Sequence, residues 1–311
     1  MLVFYTDQFV LPLPPGHTFP MSKYALLRER VAASGLVSPD DFVDPPAATD
    51  ADLALAHDPK YIRAMTAGLV ADADMRRVGF PWSPELVKRS RRSCGATVEA
   101  CRAALRDGYA VNLAGGTHHA FRDHGEGYCL FNDSVVAART LRAEGRVKNV
   151  LAIDLDVHQG NGTAALCRFD PAVYTFSMHG EKNYPLRKEQ SDLDIPLPDG
   201  TGDRAYLDAL TGGLARAMAE ARADFVVYLA GSDPFEGDRL GRLKLTKAGL
   251  AERDRMVFDA CRAAGFLMAI TMAGGYAADV ADTVEIHWQT VRQAAEAAGV
   301  YREKGTDARI A

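Results

Sequence analysis

The 311-residue sequence has no apolar run close to the ~20 residues that a membrane-spanning helix needs. Its first residues lack the basic start and the small-residue cleavage site of a signal peptide. Basic residues are not in excess, because the formal net charge is -5. That balance predicts no nucleic-acid footprint. From these absences we expect a cytoplasmic protein that binds neither a membrane nor nucleic acid.

Cysteine is scarce and shows no pairing pattern. The five cysteines lie at positions 94, 101, 129, 167 and 261, and no two form a C-x-x-C pair. A disulfide framework is therefore not expected, and we interpret the cysteines as reduced thiols that pack as small core residues. Repeats, low-complexity tracts and long linkers are also missing, so we expect one domain over residues 1–311.

Short apolar runs alternate with longer amphipathic segments. The predicted strands are 2–6, 111–115, 150–155, 173–178, 225–231 and 267–274, and the predicted helices are 22–34, 84–106, 132–145, 203–222, 246–264 and 279–298. Continuous apolar strands are typical of a parallel sheet that helices cover on both faces. We therefore predict an α/β fold with a central, mainly parallel sheet. The basic run KRSRR at 88–92 is interpreted as a solvent-exposed helix face.

Polar residues follow five of the predicted strands. They are His118 and His119 after the second strand, Asp156 and His158 after the third, His179 after the fourth, Asp233 after the fifth and Tyr276 after the sixth. In such sheets, ligands bind beyond the carboxyl ends of the strands. One ending of this kind is common by chance, but five favour a single polar site along one edge of the sheet.

Two carboxylates and one imidazole form a plausible catalytic zinc site. Asp156 and His158 can point toward one ion where their strand opens into a loop, and Asp233 can complete the set. Three protein ligands leave the fourth position of a tetrahedral zinc for water. A water held in that way becomes a nucleophile near neutral pH.

The adjacent histidines can supply the base and the acid that amide hydrolysis needs. His118 and His119 would each need an orienting partner on the other ring nitrogen, for which Asp154 and Asn161 are placed. Tyr276 can donate to the developing oxyanion. It follows Gly274 and Gly275, which allow close approach of backbone and substrate.

Each of these patterns has a simpler explanation when taken alone. A His-His pair in a loop is more often a solvent-exposed polar pair or a satisfied hydrogen bond than a catalytic pair, a D-x-D-x-H run is more often a turn than a metal site, and G-G-Y alone is a turn. Their coincidence at one sheet edge favours function. The remaining histidines divide into His57 and His287, interpreted as structural, His17 and His124, interpreted as surface-loop residues, and His179, which stays ambiguous.

Four motifs, in order along the chain, carry a family resemblance. They are NLAGGTHHAFRDHGEGYCLFND, IDLDVHQGNGTA, LAGSDPFEGDRLG and MAGGYA, preceded by HTFPMSKYALLRERV and HDPKYIRAM. The sequence resembles the zinc-dependent histone deacetylase family, most closely its class IV members and their bacterial relatives. The resemblance implies the arginase/deacetylase fold and one zinc on Asp156, His158 and Asp233. It also implies tandem catalytic histidines, His118 and His119, and Tyr276 as the residue that polarises the carbonyl.

The resemblance implies two further groups of residues. Gly127 and Tyr128 would line a narrow acyl-lysine channel, with Cys129 beside it. A structural potassium would lie near Asp154, bound by carbonyls of Asp156, His158 and Met178 and by the hydroxyl of Ser177.

One position departs from many members of that family, which have an aspartate where this chain has Asn161. An asparagine can accept a hydrogen bond from His119 but brings no negative charge, so His119 should hold a proton less tightly. We expect Asn161→Asp to raise the pKa of His119, and an unshifted pH–rate profile would contradict this.

Other functions stay open at this point. The same core would hydrolyse an acetylpolyamine or a longer acyl-lysine, and selectivity would depend on loops at the channel mouth, chiefly 7–22 and 76–84. A two-metal ureohydrolase needs a second carboxylate where Gly160 stands. A catalytically silent ligand-binding or scaffold protein is the alternative of another class, disfavoured because every expected ligand is present. Oligomeric state is not predicted.

Overall fold

Eight parallel strands form one sheet in the computed structural model, which describes residues 1–14 and 16–299. The strands are β1 (Val3–Phe4), β2 (Phe42–Val43), β3 (Tyr109–Asn112), β4 (Val150–Asp154), β5 (Val173–Gly180), β6 (Leu193–Leu197), β7 (Phe225–Leu229) and β8 (Leu267–Thr271). Their order across the sheet is β2-β1-β3-β8-β7-β4-β5-β6, and every paired neighbour is parallel. The predicted sheet is confirmed.

Helices lie on both sides of this sheet. They are α1 (Lys23–Ser34), α2 (Asp50–Ala54), α3 (Pro59–Ala67), α4 (Asp72–Val78), α5 (Pro84–Asp107), α6 (Asp133–Ala143), α7 (Asn161–Cys167), α8 (Asp203–Ala221), α9 (Lys247–Ala264) and α10 (Val280–Ala297). Two clusters of buried apolar side chains hold the layers together. No helix among the described residues is both long enough and apolar enough to cross a membrane.

All six predicted strands and all six predicted helices exist, and each bound lies within three residues of its prediction. The missed elements are short or lie at the edges. β6 is an edge strand that contains Pro196, which lacks the N–H of a central strand. α7 begins with Asn161 and Gly162, residues that signal a turn when read locally.

The strands that carry the site lie side by side. The last residues of β3, β8, β7 and β4 pair in one continuous row, Asn112 with Thr271, Thr271 with Leu229, and Leu229 with Asp154. Because parallel strands end at the same edge of the sheet, the loops that follow them converge there.

The run at 88–92 is helical as expected, but it is not uniformly exposed. Arg89 is 8% exposed, and the central carbon of its guanidinium lies 4.4 Å from the centre of the Tyr24 ring. Its position on α5 turns it toward α1 instead of solvent. The interpretation of the whole run as a solvated face was therefore wrong at this residue, because burial of a single arginine depends on the neighbouring helix.

His57 is structural, as expected, and its environment makes stability depend on pH. Its Nε2 accepts from the Asn132 backbone N–H at 2.9 Å, so its Nδ1–H donates to the Phe121 carbonyl at 2.8 Å. A neutral ring satisfies both bonds. Burial is the main cause that lowers the pKa of His57 from 6.5 to about 4.

Because this pKa is lower in the folded state, the unfolded chain binds more protons between about pH 4 and 6.5. The contribution of His57 is complete above pH 6.5 and is lost as the pH falls to about 4. The loss should amount to about 3 kcal/mol. Urea unfolding of wild type and His57→Gln at pH 7 and pH 5 measures it: the stability advantage of wild type should shrink at pH 5. A constant difference would contradict a neutral buried ring.

Candidate active site

Three buried residues from two adjacent strands form a potential metal site. Asp156 and His158 follow β4, and Asp233 follows β7; one ligand atom from each lies within 4.8 Å of the others. Nδ1 of His158 is 2.9 Å from Oδ1 of Asp156 and 3.2 Å from Oδ2 of Asp233. The sequence-predicted ligands are therefore together, with one imidazole nitrogen facing two carboxylates.

The surroundings of the cluster suit a cation. Oδ2 of Asp233 is buried and has no hydrogen bond of good geometry among the described residues. Oδ1 of the same carboxylate accepts from the Val157 N–H at 2.9 Å, which fixes its orientation. A buried carboxylate oxygen without a donor is costly unless an ion satisfies it. Two carboxylates and an imidazole are also a donor set that zinc accepts. The three residues thus fit a divalent metal.

Gly274 keeps this space open. A Cβ at this position would collide with carboxylate oxygens of both Asp233 and Asp156. Its own N–H donates to Oδ2 of Asp156 at 2.8 Å. The Gly274 backbone lies so close to these two carboxylates that only a glycine fits at this position.

Mutual repulsion and attraction shift the pKa values within the cluster. Burial raises the pKa of Asp233, the charge of Asp156 raises it further, and the result is about 7. For His158, burial lowers the pKa, but Asp156 and Asp233 outweigh it and raise the pKa to about 10. Two neighbouring buried carboxylates therefore resist simultaneous ionisation when no metal is bound.

His118 is oriented by a carboxylate. Its Nδ1–H donates to Oδ2 of Asp154 at 2.7 Å, the contact expected from the sequence. Burial lowers the pKa of His118, but Asp154 and Asp156 oppose it and raise the pKa to about 9. Near neutral pH, the metal-free site therefore carries a positive charge on His118.

His119 has a neutral partner instead. Its Nδ1–H donates to Oδ1 of Asn161 at 2.6 Å, again as the sequence placed it. Burial, followed by the charges of His118 and His158, lowers the pKa of His119 well below its ordinary value. The two adjacent histidines therefore favour different protonation states, and His119 is the neutral one.

A carboxylate that the sequence analysis missed stands behind Asn161. The Asn161 side-chain N–H donates to Oε1 of Glu126 at 2.6 Å, so the amide bridges His119 and a negative charge. Glu126 also raises the pKa of Tyr184, second to burial. The ring of Tyr184 packs edge-on against His119, with ring centres 5.0 Å apart. The charge missing at position 161 is thus supplied one hydrogen bond further away.

Tyr276 is held by its backbone. Oδ2 of Asp238 accepts from its N–H at 2.6 Å, and Nε of Arg239 donates to its carbonyl at 3.1 Å. Burial, then the charges of Asp233 and Asp156, raise the pKa of Tyr276 well above the ordinary value, so its phenol is protonated. Asp238 and Arg239 were not singled out from the sequence, although they lie in the motif after Asp233.

Aromatic rings and backbone form a narrow wall above the cluster. The Tyr128 ring lies 5.9 Å from that of Tyr276 and 5.1 Å from that of Phe19. Gly127 has φ +54, and a Cβ there would collide with the His119 ring. Cys129 is buried, and its thiol donates to the Gly127 carbonyl at 3.3 Å. The channel residues expected from the resemblance therefore adjoin the site.

Two spaces meet at this wall. A small cavity of about 60 Å³ lies on the inner side and is lined in part by Lys23, Tyr24, Arg89 and Ser93. An open depression of about 450 Å³, which we name the mouth groove, lies on the outer side. Part of the predicted 76–84 loop lines the mouth groove, whereas its walls from 182–186 and 240–242 were not anticipated.

Two buried charged residues, Arg253 and Asp133, bind backbone atoms of the loops that carry the site residues. Arg253 is fully buried, pairs with Asp254 at 2.8 Å and donates to the Gly231 carbonyl at 2.5 Å, next to the strand end that leads to Asp233. Asp133 accepts from the backbone N–H groups of Gly116 and Thr117, at 3.0 and 2.7 Å. These contacts set the paths of the loops that carry Asp233 and the two histidines.

The residues of the expected potassium site lie on β4, in the loop that follows it and on β5. Asp154 pairs with Ser177 in the sheet register, and Met178 follows on the same strand. The Ser177 hydroxyl lies 3.0 Å from Nδ1 of His179, a buried histidine that does not line the mouth groove. The potassium ion itself stays a prediction.

The other histidines do not belong to the metal cluster of the described residues. His287 is buried in α10. His17 contacts the Gly79 carbonyl at 3.0 Å, and His124 pairs with Asp123 at 2.7 Å. His17 stacks against Phe80, which makes it part of the loop packing outside the channel.

Comparisons with known proteins agree on one family. The histone deacetylase domain family matches residues 17–291. An uncharacterised protein of Picosynechococcus is 42% identical over 285 residues, which cover 92% of this chain and 95% of the relative. The histone deacetylase-like amidohydrolase of Pseudomonas aeruginosa is 28% identical, covering 85% of this chain and 74% of the relative. Histone deacetylase 2 of Arabidopsis thaliana is 29% identical, covering 86% and 73%.

Solved structures show the same fold. The crystal structure of an HDAC homologue from Aquifex aeolicus has a TM-score of 0.82 and 24% sequence identity, covering 96% of this chain and 83% of that one. A second structure, of an HDAC homologue complexed with SAHA, has the same TM-score, identity and coverage.

Proposed function

This chain belongs to the histone deacetylase family and is a deacetylase-type hydrolase, and from that premise we propose that it removes an acyl group, most simply acetyl, from the ε-amine of a lysine in a peptide or protein. We propose zinc as its metal, one ion per chain, on Asp156, His158 and Asp233. The observation that carries the proposal is the buried cluster of these three residues directly beside His118, His119 and Tyr276.

The chemistry divides between the ion and the chain. When bound, zinc is a Lewis acid that polarises a carbonyl and activates water. His119 is neutral and has Nε2 as its free ring nitrogen, so we assign it the role of base toward the attacking water and then of acid toward the leaving amine. We assign His118, which Asp154 orients through Nδ1, the role of an electrostatic partner for the negative charge that develops. The Tyr276 phenol donates a hydrogen bond to the carbonyl oxygen of the substrate.

Asn161 and Glu126 give a specific test of the assignment of His119. Asn161→Asp places a second carboxylate against Glu126, where an N–H···O contact of 2.6 Å now lies. We expect a loss of about 10- to 100-fold in activity, the range for partners that orient a catalytic histidine. The acidic limb of the pH–rate profile should move to higher pH, because the new charge raises the pKa of His119.

The double variant Asn161→Asp/Glu126→Gln keeps every hydrogen bond, since the glutamine that replaces Glu126 would donate to the new carboxylate. It should recover most of the lost activity and keep the displaced limb. Glu126→Gln alone is the matched control, because a glutamine oxygen can still accept from Asn161. No rescue in the double variant would argue against the bridge.

Substrate panels test the proposed function. We propose to load the purified protein with zinc and assay an acetyl-lysine peptide, a long-acyl-lysine peptide and N-acetylputrescine, with Asp156→Ala as the control. Turnover of the acetyl-lysine peptide that disappears in the control is the expected result. Turnover of N-acetylputrescine alone would favour a small-amine deacetylase, and turnover of the long-acyl peptide alone would favour a long-chain deacylase.

Two further alternatives have clear tests. The described residues contain one cluster of potential metal ligands, and a Cβ at Gly160 would collide with Asp154, which argues against a two-metal ureohydrolase. Two metal ions per chain would overturn this. A zinc-loaded protein that hydrolyses no acylated amine would favour the catalytically silent scaffold protein.

We also propose a structural potassium beside Asp154 and one catalytic domain that spans the chain. We propose the cytoplasm as the location of the protein, because its five cysteines are free and buried.

A further inference from the structure

The charged side chains that line the mouth groove are all cationic. They are Arg77, Lys182 and Arg242, and no aspartate or glutamate lines the groove in the part of the chain that the structure describes. Arg239 adds a fourth cation at the rim, where its guanidinium donates to the Tyr276 and Thr18 carbonyls. The whole chain has a formal charge of -5, so this local excess runs against the overall composition.

Existing ion pairs leave much of this charge available. Arg77 lies 3.9 Å from Asp74 and Arg242 lies 3.2 Å from Asp199, and all four side chains are 36% or more exposed. Exposed pairs of this kind are weak and exchange readily with other partners. Within the described residues, neither Lys182 nor Arg239 has a carboxylate within 4.0 Å, the limit for a salt bridge.

The groove also exposes apolar side chains. Leu186 is 92% exposed, Tyr184 40% and Leu240 37%, and all three line it. Lys188 donates to the Asn183 and Pro185 carbonyls, both at 2.6 Å, which shapes the loop that presents Tyr184 and Leu186. Apolar side chains with cations around them form a surface suited to an extended peptide that carries carboxylates.

We propose that the mouth groove binds the polypeptide around the acyl-lysine and selects segments with aspartate or glutamate beside that lysine. This rests on the proposed deacylase function and specifies its substrate class. A small acetylated polyamine retains at least one ammonium group, which the cations of the groove repel, and it has no side chains to cover Leu186 and Leu240. Both features favour acidic protein segments over acetylated polyamines.

Matched peptides separate charge from shape. We would compare an acetyl-lysine peptide with two flanking glutamates, the same peptide with glutamines, the same with lysines, and N-acetylputrescine. Exposed ion pairs change an equilibrium about 1.4- to 5-fold each, so two glutamates should raise kcat/KM about 2- to 25-fold over glutamines. The gain should lie mainly in KM, and it should shrink at high salt. The lysine peptide and N-acetylputrescine should be the poorest substrates.

Charge reversal at the groove provides the variant test. Lys182→Glu/Arg242→Glu should abolish or invert the preference for glutamate. Arg204→Glu is the control, because it changes the net charge in the same direction at a site outside the groove. The Arg204 side chain, on α8, is 97% exposed and does not line the groove. This variant should keep the wild-type preference. Fluorescence anisotropy with labelled peptides measures the same ranking as binding, independently of turnover.

The outcomes distinguish this inference from the proposed function beneath it. Hydrolysis of all three peptides at equal kcat/KM at low salt, or a preference that the double reversal does not move, overturns the acidic-segment inference and leaves the deacylase standing. N-acetylputrescine as the best substrate also overturns it. Failure to hydrolyse any acyl-lysine peptide, with zinc bound at one ion per chain, overturns the proposed function itself.

Discussion

Asp233→Asn should abolish tight zinc binding and lower kcat/KM by at least about 10³-fold. The ion provides several kcal/mol of transition-state stabilisation, and each 1.36 kcal/mol corresponds to a factor of about ten. An asparagine keeps the Oδ1 that accepts from the Val157 N–H, so the loop should retain its path. What disappears is the charge of the buried carboxylate, whose Oδ2 forms no hydrogen bond of good geometry among the described residues. Metal content and activity on the same preparation are the measurements.

Stability distinguishes loss of a ligand from loss of fold. In the metal-free protein, burial and the charge of Asp156 raise the pKa of Asp233 to about 7, so folding stability falls as the pH rises from about 4 to 7. The metal-free variant should lack this contribution of Asp233 to the pH dependence of stability. Zinc should raise the Tm of wild type, because a ligand that binds the folded state stabilises it. An equal zinc-induced rise in the variant would contradict the role of Asp233.

Tyr276→Phe should lower kcat by about 10²- to 10³-fold, the range for removal of one oxyanion donor. Only the phenol oxygen is lost. The contacts that hold the residue involve its backbone and remain. Its N–H donates to Asp238, and its carbonyl accepts from Arg239. KM, metal content and Tm should therefore change little.

Tyr128→Phe is the matched control for this prediction. Its ring lies 5.9 Å from that of Tyr276 in the same wall, but its hydroxyl contacts the Thr18 side chain at 2.9 Å. Loss of that hydroxyl should affect kcat far less. Equal values of kcat in the two variants would contradict a specific role of the Tyr276 phenol in catalysis.

Much of the fold follows from local pattern. Continuous apolar runs such as VLAID and FVVYL are buried on both faces, which is why they are identifiable as parallel strands without knowledge of their neighbours. Amphipathic spacing and caps mark α5 and α10, where Ser83 and Asp279 each accept from a backbone N–H in the first turn. Edge strand β6 was not predicted, because Pro196 interrupts the alternation of apolar and polar residues that would mark a strand.

The position of the candidate site also follows from the sequence. Parallel strands end at one edge, so polar residues directly after β3, β4, β7 and β8 must meet there. Asp156 and His158 are two residues apart, and that spacing survives any arrangement of the loops. The contacts of His118 with Asp154 and of His119 with Asn161 join the segment after β3 to the end of β4 and the segment after it, although β8 and β7 lie between those two strands in the sheet.

Other features depended on the tertiary structure alone. Glu126 lies 35 residues before Asn161, and no local pattern distinguishes it from an ordinary loop glutamate. The burial of Arg89 required Tyr24 on another helix. The cationic mouth groove joins Arg77, Lys182 and Arg242, which are separated widely in sequence.

The physical reason is that some interactions act between residues close in sequence and others only between segments that are distant in sequence. Periodicity, caps and strand ends are set by hydrogen bonding and burial within a few residues, so the sequence by itself determined the sheet, most helices and the edge that carries the site. The partner of an amide, the exposure of an arginine and the charge of a groove depend on how loops from distant segments pack together. Only the tertiary structure decided that Asn161 is backed by Glu126 and that the entrance to the site is positively charged.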